Sequence, residues 1–146
     1  DEAYIADIYY AASAQIVAKA AEVLGLEETR QEYHKIADRQ WQVVKEEYFT
    51  ATGRCAVKTQ TGLILALKYH LSENEELTRE MLKKLLRDNK NKLNTGFVGT
   101  PLLCNVLTDH GMTDAAYRLL LNEEYPGWLH EVKLGATTVG TLEFTG

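Results

Sequence analysis

Residues 60–69 read Gln-Thr-Gly-Leu-Ile-Leu-Ala-Leu-Lys-Tyr, and the apolar run Leu63 to Leu67 decides the fold class. Five successive apolar positions leave no polar face, and a helix that is apolar all round is buried on all sides. The polar residues at its start, Thr59, Gln60 and Thr61, must then be hydrogen-bonded or face a cavity, with Thr59 suited to an N-cap. The next segment, 75–88, is amphipathic. Leu77, Met81, Leu82, Leu85 and Leu86 make one face, and Glu76, Arg79, Lys83 and Arg87 the other. A fully apolar helix joined by a short turn to a half-polar one reads as an antiparallel αα-hairpin, with an inner and an outer member.

Working outward, the same unit recurs on both sides. Upstream, Ile5, Ile8, Tyr9, Ala12, Ile16, Ala20 and Val23 follow helical spacing, and Gly25 supplies a left-handed stop. A second helix over 27–49 would bury Tyr33, Ile36, Ala37, Trp41, Val44 and Tyr48. Downstream, Pro101 suits a first-turn position, where its missing N–H costs nothing, in a helix that Gly111 ends. A polar helix over 113–122 follows. The expected architecture is all-α: three antiparallel αα-hairpins arranged as an inner and an outer row. The longer connections, 50–59, 89–100 and 123–138, would gather at one end, where a rigid scaffold usually carries its functional loops.

Composition sets the outer limits. At 146 residues with 45% hydrophobic content, the chain can bury one core. A net charge of −5 leaves no basic excess to neutralise phosphates, which argues against non-specific nucleic-acid binding. No stretch approaches the roughly 20 apolar residues of a membrane helix. Cys55 and Cys104 lie far apart without a paired spacing, which favours reduced thiols and a cytoplasmic setting over a disulfide framework. His34, His70, His110 and His130 show no metal-ligand spacing, so neither a metal nor a cofactor is expected. The chain opens on Asp1 without a signal peptide, and reads as a fragment.

Two stretches carry the functional signal. In Thr95-Gly96-Phe97-Val98-Gly99-Thr100-Pro101, two glycines permit close backbone approach, and Phe97 between them is an odd choice for a solvated turn. The competing reading tucks Phe97 into the core. In Tyr125-Pro126-Gly127-Trp128, followed by His130 and Glu131, aromatic rings stand beside an imidazole and a carboxylate. That set suits a sugar, whose C–H faces stack on rings while its hydroxyls need polar partners. The bland alternative is a hydrophobic plug closing one end of the helical array. A helical-repeat interaction module is the alternative function, suggested by small inward residues such as Ala12, Ala20 and Ala37. Against it, repeats recur at one period, whereas these loops are long and dissimilar.

Taken with Gly135-Ala136-Thr137-Thr138, Tyr10-Ala11-Ala12-Ser13 and the segment 116–121, these motifs resemble the bacterial α-L-rhamnosidases. The resemblance implies an (α/α)6 barrel of which three hairpins are present over residues 1–139, about half. It also implies a glycosidase that releases terminal α-L-rhamnose with inversion from rhamnose-containing carbohydrate. The substrate-binding residues would be Phe97, Val98, Trp128, His130 and Gln60. In this family the general acid lies upstream of the matching segment, and the general base is the Glu of a W-E-R-W stretch soon after Gly-Ala-Thr-Thr. Here Thr141 occupies that Glu's position, and a hydroxyl is too weak a base to replace it. Glu143, two residues late, is only a weak catalytic candidate. Residues 140–146 therefore read as a non-family tail. One account is a shifted reading frame: codons such as GGA ACG CTG GAA TTC ACC would encode Gly-Thr-Leu-Glu-Phe-Thr and, read from the second base, would encode Glu-Arg-Trp-Asn-Ser. The expectation is an inactive fragment whose open flanks promote self-association.

Overall fold

In a computed structural model of the chain, residues 1–137 are described. They form α1 (Glu2–Val23), α2 (Glu27–Tyr48), α3 (Gln60–Lys68), α4 (Glu75–Asp88), α5 (Gly96–Asp109), α6 (Thr113–Leu120) and a short α7 (Trp128–Lys133). No strand occurs among the described residues; Phe49 and Cys55 make one isolated antiparallel bridge. Helices α1 and α2 pair as a hairpin, as do α3 with α4 and α5 with α6. Among the first members, α3 packs between α1 and α5. The all-α, three-hairpin expectation holds, with α1, α3 and α5 as the inner row.

The centre of the fold is α3. Every residue from Gln60 to Leu67 is buried, as an all-apolar helix requires. The Thr59 side chain caps it by accepting from the Gly62 amide at 3.1 Å. Against α3 pack Leu82 and Leu86 of α4, Leu103 and Leu107 of α5, and Tyr4 and Ile8 of α1. Asn74 caps α4 in the same way, accepting from Leu77 N at 3.0 Å.

Three expectations are corrected. The α1 stripe faces the core only in its first half: Ile8 and Ala12 are buried, but Ile16 and Val23 are 67% and 87% exposed. Instead α1 buries an alanine ridge, Ala11, Ala14, Ala18 and Ala21. Small side chains let α1 and α2 lie close together, which places the larger residues on the opposite side. The stretch from Gly96 to Pro101 is also not a loop. It is the first part of α5, so Pro101 sits inside the helix rather than in its first turn. Side chains hold this start together: Thr95 and Thr100 hydroxyls lie 2.6 Å apart, and Thr100 donates to the Gly96 carbonyl at 2.6 Å. Finally, the connection after α6 carries α7, which helical periodicity alone does not reveal.

At the far end of the rows, Glu75 lies 2.6 Å from His70 Nδ1 and 3.7 Å from His110 Nδ1, which ties the second and third hairpins. His70 and His110 thus take helix-end roles. Among the described residues, no group of His, Cys, Asp and Glu is placed to hold a metal ion, and no helix is long and apolar enough to cross a membrane.

Candidate functional site

The N-terminal ends of α1, α3 and α5 converge, and the connections 50–59 and 89–95 arrive at the same end because they feed α3 and α5. A cavity of about 470 Å³ opens there, lined by Asp1, Thr59, Gln60, Asn94, Phe97 and Val98 among others. Three of the five expected binding residues, Gln60, Phe97 and Val98, are thus brought together. A second, apolar groove of about 440 Å³ runs alongside, between Ile5 and Tyr9 of α1 and Phe97, Val98, Pro101 and Leu102 of α5. Phe97 and Val98 border both spaces, so α5 presents a ridge between a polar recess and an apolar one.

Phe97 is 84% exposed, which overturns the reading that tucks it into the core. Its position follows from how residues 91–96 are held. Gly96 has φ of +57°, a left-handed conformation that glycine adopts without strain, and there the chain turns into α5. The preceding residues are bonded one after another. Asn122 donates to the Asn91 carbonyl at 2.9 Å, Gln60 Nε2 donates to the Lys92 carbonyl at 3.0 Å, and Leu93 N donates to the Pro126 carbonyl at 3.3 Å. Asn94 N donates to Gln60 Oε1 at 2.9 Å, and Thr61 donates to the Thr95 carbonyl at 2.6 Å. Gln60 is 1% exposed, and each end of its carboxamide is engaged with this segment.

The other two expected residues stand apart. Trp128 packs partly buried against the core at the start of α7. His130 stands edge-on to Tyr125 with ring centroids 5.7 Å apart. Neither lines the cavity of Gln60 and Phe97, although the Leu93–Pro126 bond joins the two loops, as does an ion pair of Lys92 with Glu124 at 3.2 Å. Glu143, Thr141 and Thr138 lie outside the described residues. Asn94, Lys58 and Asp1 join the site without having been singled out; short polar loop residues carry no periodic signal that would mark them.

The electrostatics beneath the site are those of a sealed core. Tyr4 donates to the Gly62 carbonyl at 3.1 Å, and burial pushes its hydroxyl well above the usual tyrosine range. Tyr48 is pushed up to about 12, by burial first and then by donating to Asp7 at 2.9 Å. Burial likewise raises the Cys55 thiol, which keeps it neutral and poorly nucleophilic. Among the described residues lining the cavity, only Asp1 carries a carboxylate. The arrangement can therefore stack an apolar sugar face on Phe97 and offer hydroxyl partners in Thr59 and Asn94. Among the described residues, this cavity does not present the two carboxyl groups, about 6.5–9.5 Å apart, that an inverting glycosidase uses.

The comparisons with known proteins agree with one another. Residues 1–143 match the family described as the bacterial alpha-L-rhamnosidase 6 hairpin glycosidase domain. An alpha-L-rhamnosidase of Formosa agariphila is 37% identical over 138 residues, covering 92% of this chain and 15% of that protein. One from Alteromonas is 34% identical, covering 94% of this chain and again 15% of the relative. Among solved structures, the native α-L-rhamnosidase of Aspergillus terreus superposes with a TM-score of 0.88 at 30% identity, over 95% of this chain and 16% of that one. The Streptomyces avermitilis enzyme, solved in complex with L-rhamnose, gives 0.85 at 33% identity, over 93% of this chain and 13% of that one. The chain thus spans about 15% of the length of the curated relatives it matches. Helix order, loop motifs and superposition point the same way, and the chain belongs to the six-hairpin glycosidase domain family of the bacterial α-L-rhamnosidases.

Proposed function

We propose that this chain forms part of the (α/α)6 barrel of an α-L-rhamnosidase and supplies one wall of its sugar pocket, not its acid–base pair. The observation that carries this reading is Phe97, which stands 84% exposed at the rim of the loop-end cavity on a fully bonded segment. An exposed ring beside polar groups, following a hydrogen-bonded segment, is the arrangement a sugar needs. Phe97 and Val98 offer the stacking surface and Gln60 underlies it, while Trp128 and His130 stand on α7 outside this cavity and would meet the sugar only beyond its rim. The whole protein would act on glycosides that end in α-L-rhamnose.

With Asp1 as the single carboxylate that the described residues bring to the cavity, we expect the chain by itself not to hydrolyse such glycosides. An assay of p-nitrophenol release from an aryl α-L-rhamnoside should stay at background. Release abolished by Glu143→Gln would overturn this and make Glu143 the base. Titration with methyl α-L-rhamnoside, followed by amide NMR, should move the signals of residues 94–98. An absence of shifts at saturating glycoside would remove the sugar reading. We read residues 140–146 as a departure from the family pattern, and an uninterrupted frame through them at the parental locus would count against a shifted frame.

The exposed stripe of Tyr10, Ile16, Val23 and Leu24 on α1 also supports self-association of the isolated chain, with two three-hairpin units closing a ring. Light scattering checks this, and a monodisperse monomer would rule it out.

A further inference from the structure

The wall-forming role rests on Phe97, but Phe97 does not place itself. It follows a segment in which five consecutive residues each have a backbone group tied to another part of the molecule, and three of those ties come from the first turn of α3. Gln60 is central. A buried carboxamide must find partners for both its ends, and these ends go to the Lys92 carbonyl and the Asn94 amide, one residue either side of buried Leu93. Replacing either end leaves a desolvated backbone group without a partner, which costs more than the net worth of the bond. Thr61, the next residue, continues the pattern by donating to the Thr95 carbonyl. So tightly do α3 and α5 meet here that a Cβ on Gly99 would come within 2.6 Å of Thr61 Oγ1.

We propose that Gln60 is a positioning residue of the sugar site: its carboxamide, shared between Lys92 and Asn94, fixes the pedestal on which Phe97 is presented. Gln60 thereby acts on the ligand through Phe97 rather than by touching it. The idea rests on the sugar-binding reading of this cavity and gives one residue of that reading a different task. The same ties run on through Leu93 to Pro126, so Gln60 also sets the register between the Phe97 wall and the loop that leads to Trp128.

The test uses the full chain and two readouts: hydrogen exchange at the Asn94 amide, and affinity for methyl α-L-rhamnoside by amide NMR. In Gln60→Met, which keeps volume and loses both hydrogen bonds, Asn94 exchange should quicken by roughly tenfold, the equivalent of one buried hydrogen bond. The glycoside should bind several-fold more weakly, while amides of the α1–α2 hairpin keep their protection. Gln60→Glu retains the acceptor for Asn94 but sets a carboxylate oxygen against the Lys92 carbonyl, so Asn94 should stay better protected than in Gln60→Met while the glycoside still binds more weakly, a split that a mere packing role would not predict. Phe97→Ala should lose affinity with Asn94 protection unchanged. Should Gln60→Met prevent folding, Thr61→Val tests the same pedestal through the Thr95 carbonyl. A wild-type protein that ignores the glycoside would overturn the sugar site and this role with it. A variant whose Asn94 exchanges fast yet binds as wild type would overturn the positioning role alone, as would unchanged Asn94 exchange.

Discussion

Helices α1 and α3 are both inner helices and both rich in apolar residues, yet they are buried differently. From Gln60 to Leu67, α3 has no exposed residue. Over 22 residues α1 buries mainly alanines, and leaves Ile16 and Val23 to solvent. The difference lies in neighbours. Flanked by α1, α5 and its own partner α4, α3 is covered on every side, whereas α1 has α2 and only the margin of α3. Apolarity creates a demand for cover; the arrangement of the other helices decides which face receives it. The contrast also separates stability from assembly, since the core depends on α3 and the open stripe of α1 remains available to another surface.

That separation can be broken by mutation. The largest effect should come from Leu65→Ala in α3, a side chain with no exposure, which should cost about 2–5 kcal/mol in urea unfolding. A loss below about 1 kcal/mol would mean that α3 is not the centre of the core. Next, Gly99→Ala should cost about 1–3 kcal/mol, because its Cβ would fall 2.6 Å from Thr61 Oγ1 and force α3 and α5 apart. Removing the cap of α3 by Thr59→Ala should cost about 1 kcal/mol, measured by the same unfolding curves. At the other extreme, Ile16→Ala on α1 should change monomer stability by less than about 0.5 kcal/mol while weakening any self-association. A large loss of stability there would show that the α1 stripe is internal after all.

A pH experiment sharpens the same comparison at the α1–α2 side. Folding raises the Tyr48 hydroxyl to about 12, so the fold favours its protonated form. The stability this gives is fully present below the unfolded tyrosine's value near 10 and is lost as pH rises towards about 12. Unfolding curves should therefore show a decline across that window, and Tyr48→Phe should make it shallower. An identical decline in the variant would assign it elsewhere, Tyr4 being the first alternative because burial raises it too.

Much of this was legible in the amino-acid sequence. The run Leu63 to Leu67 announces a buried helix, Thr59 its cap, and Gly25 the turn between α1 and α2, because each depends on local chemistry. The start of α5 was not legible. Two glycines and a proline within 95–101 look like a loop, and only the hydroxyls of Thr61, Thr95 and Thr100, meeting across two helices, show how a helix begins there. The six residues of α7 are too few for a periodic signal. Of the site, Phe97 and Gln60 could be picked out, but not the relation between them, which joins positions 32 and 34 residues apart. The family motif supplied that proximity only by implication.

The bonded segment 91–95 has a consequence for how this part of the molecule can change over generations. With each of its residues tied to one of four partners, two of them to Gln60, its length becomes a fixed quantity. An added or deleted residue would rotate every tie out of register and carry Phe97 away from the rim. Lineages of this fold should therefore vary this segment by substitution while keeping its residue count, and place their insertions in turns such as 24–26, where the short link between α1 and α2 faces solvent.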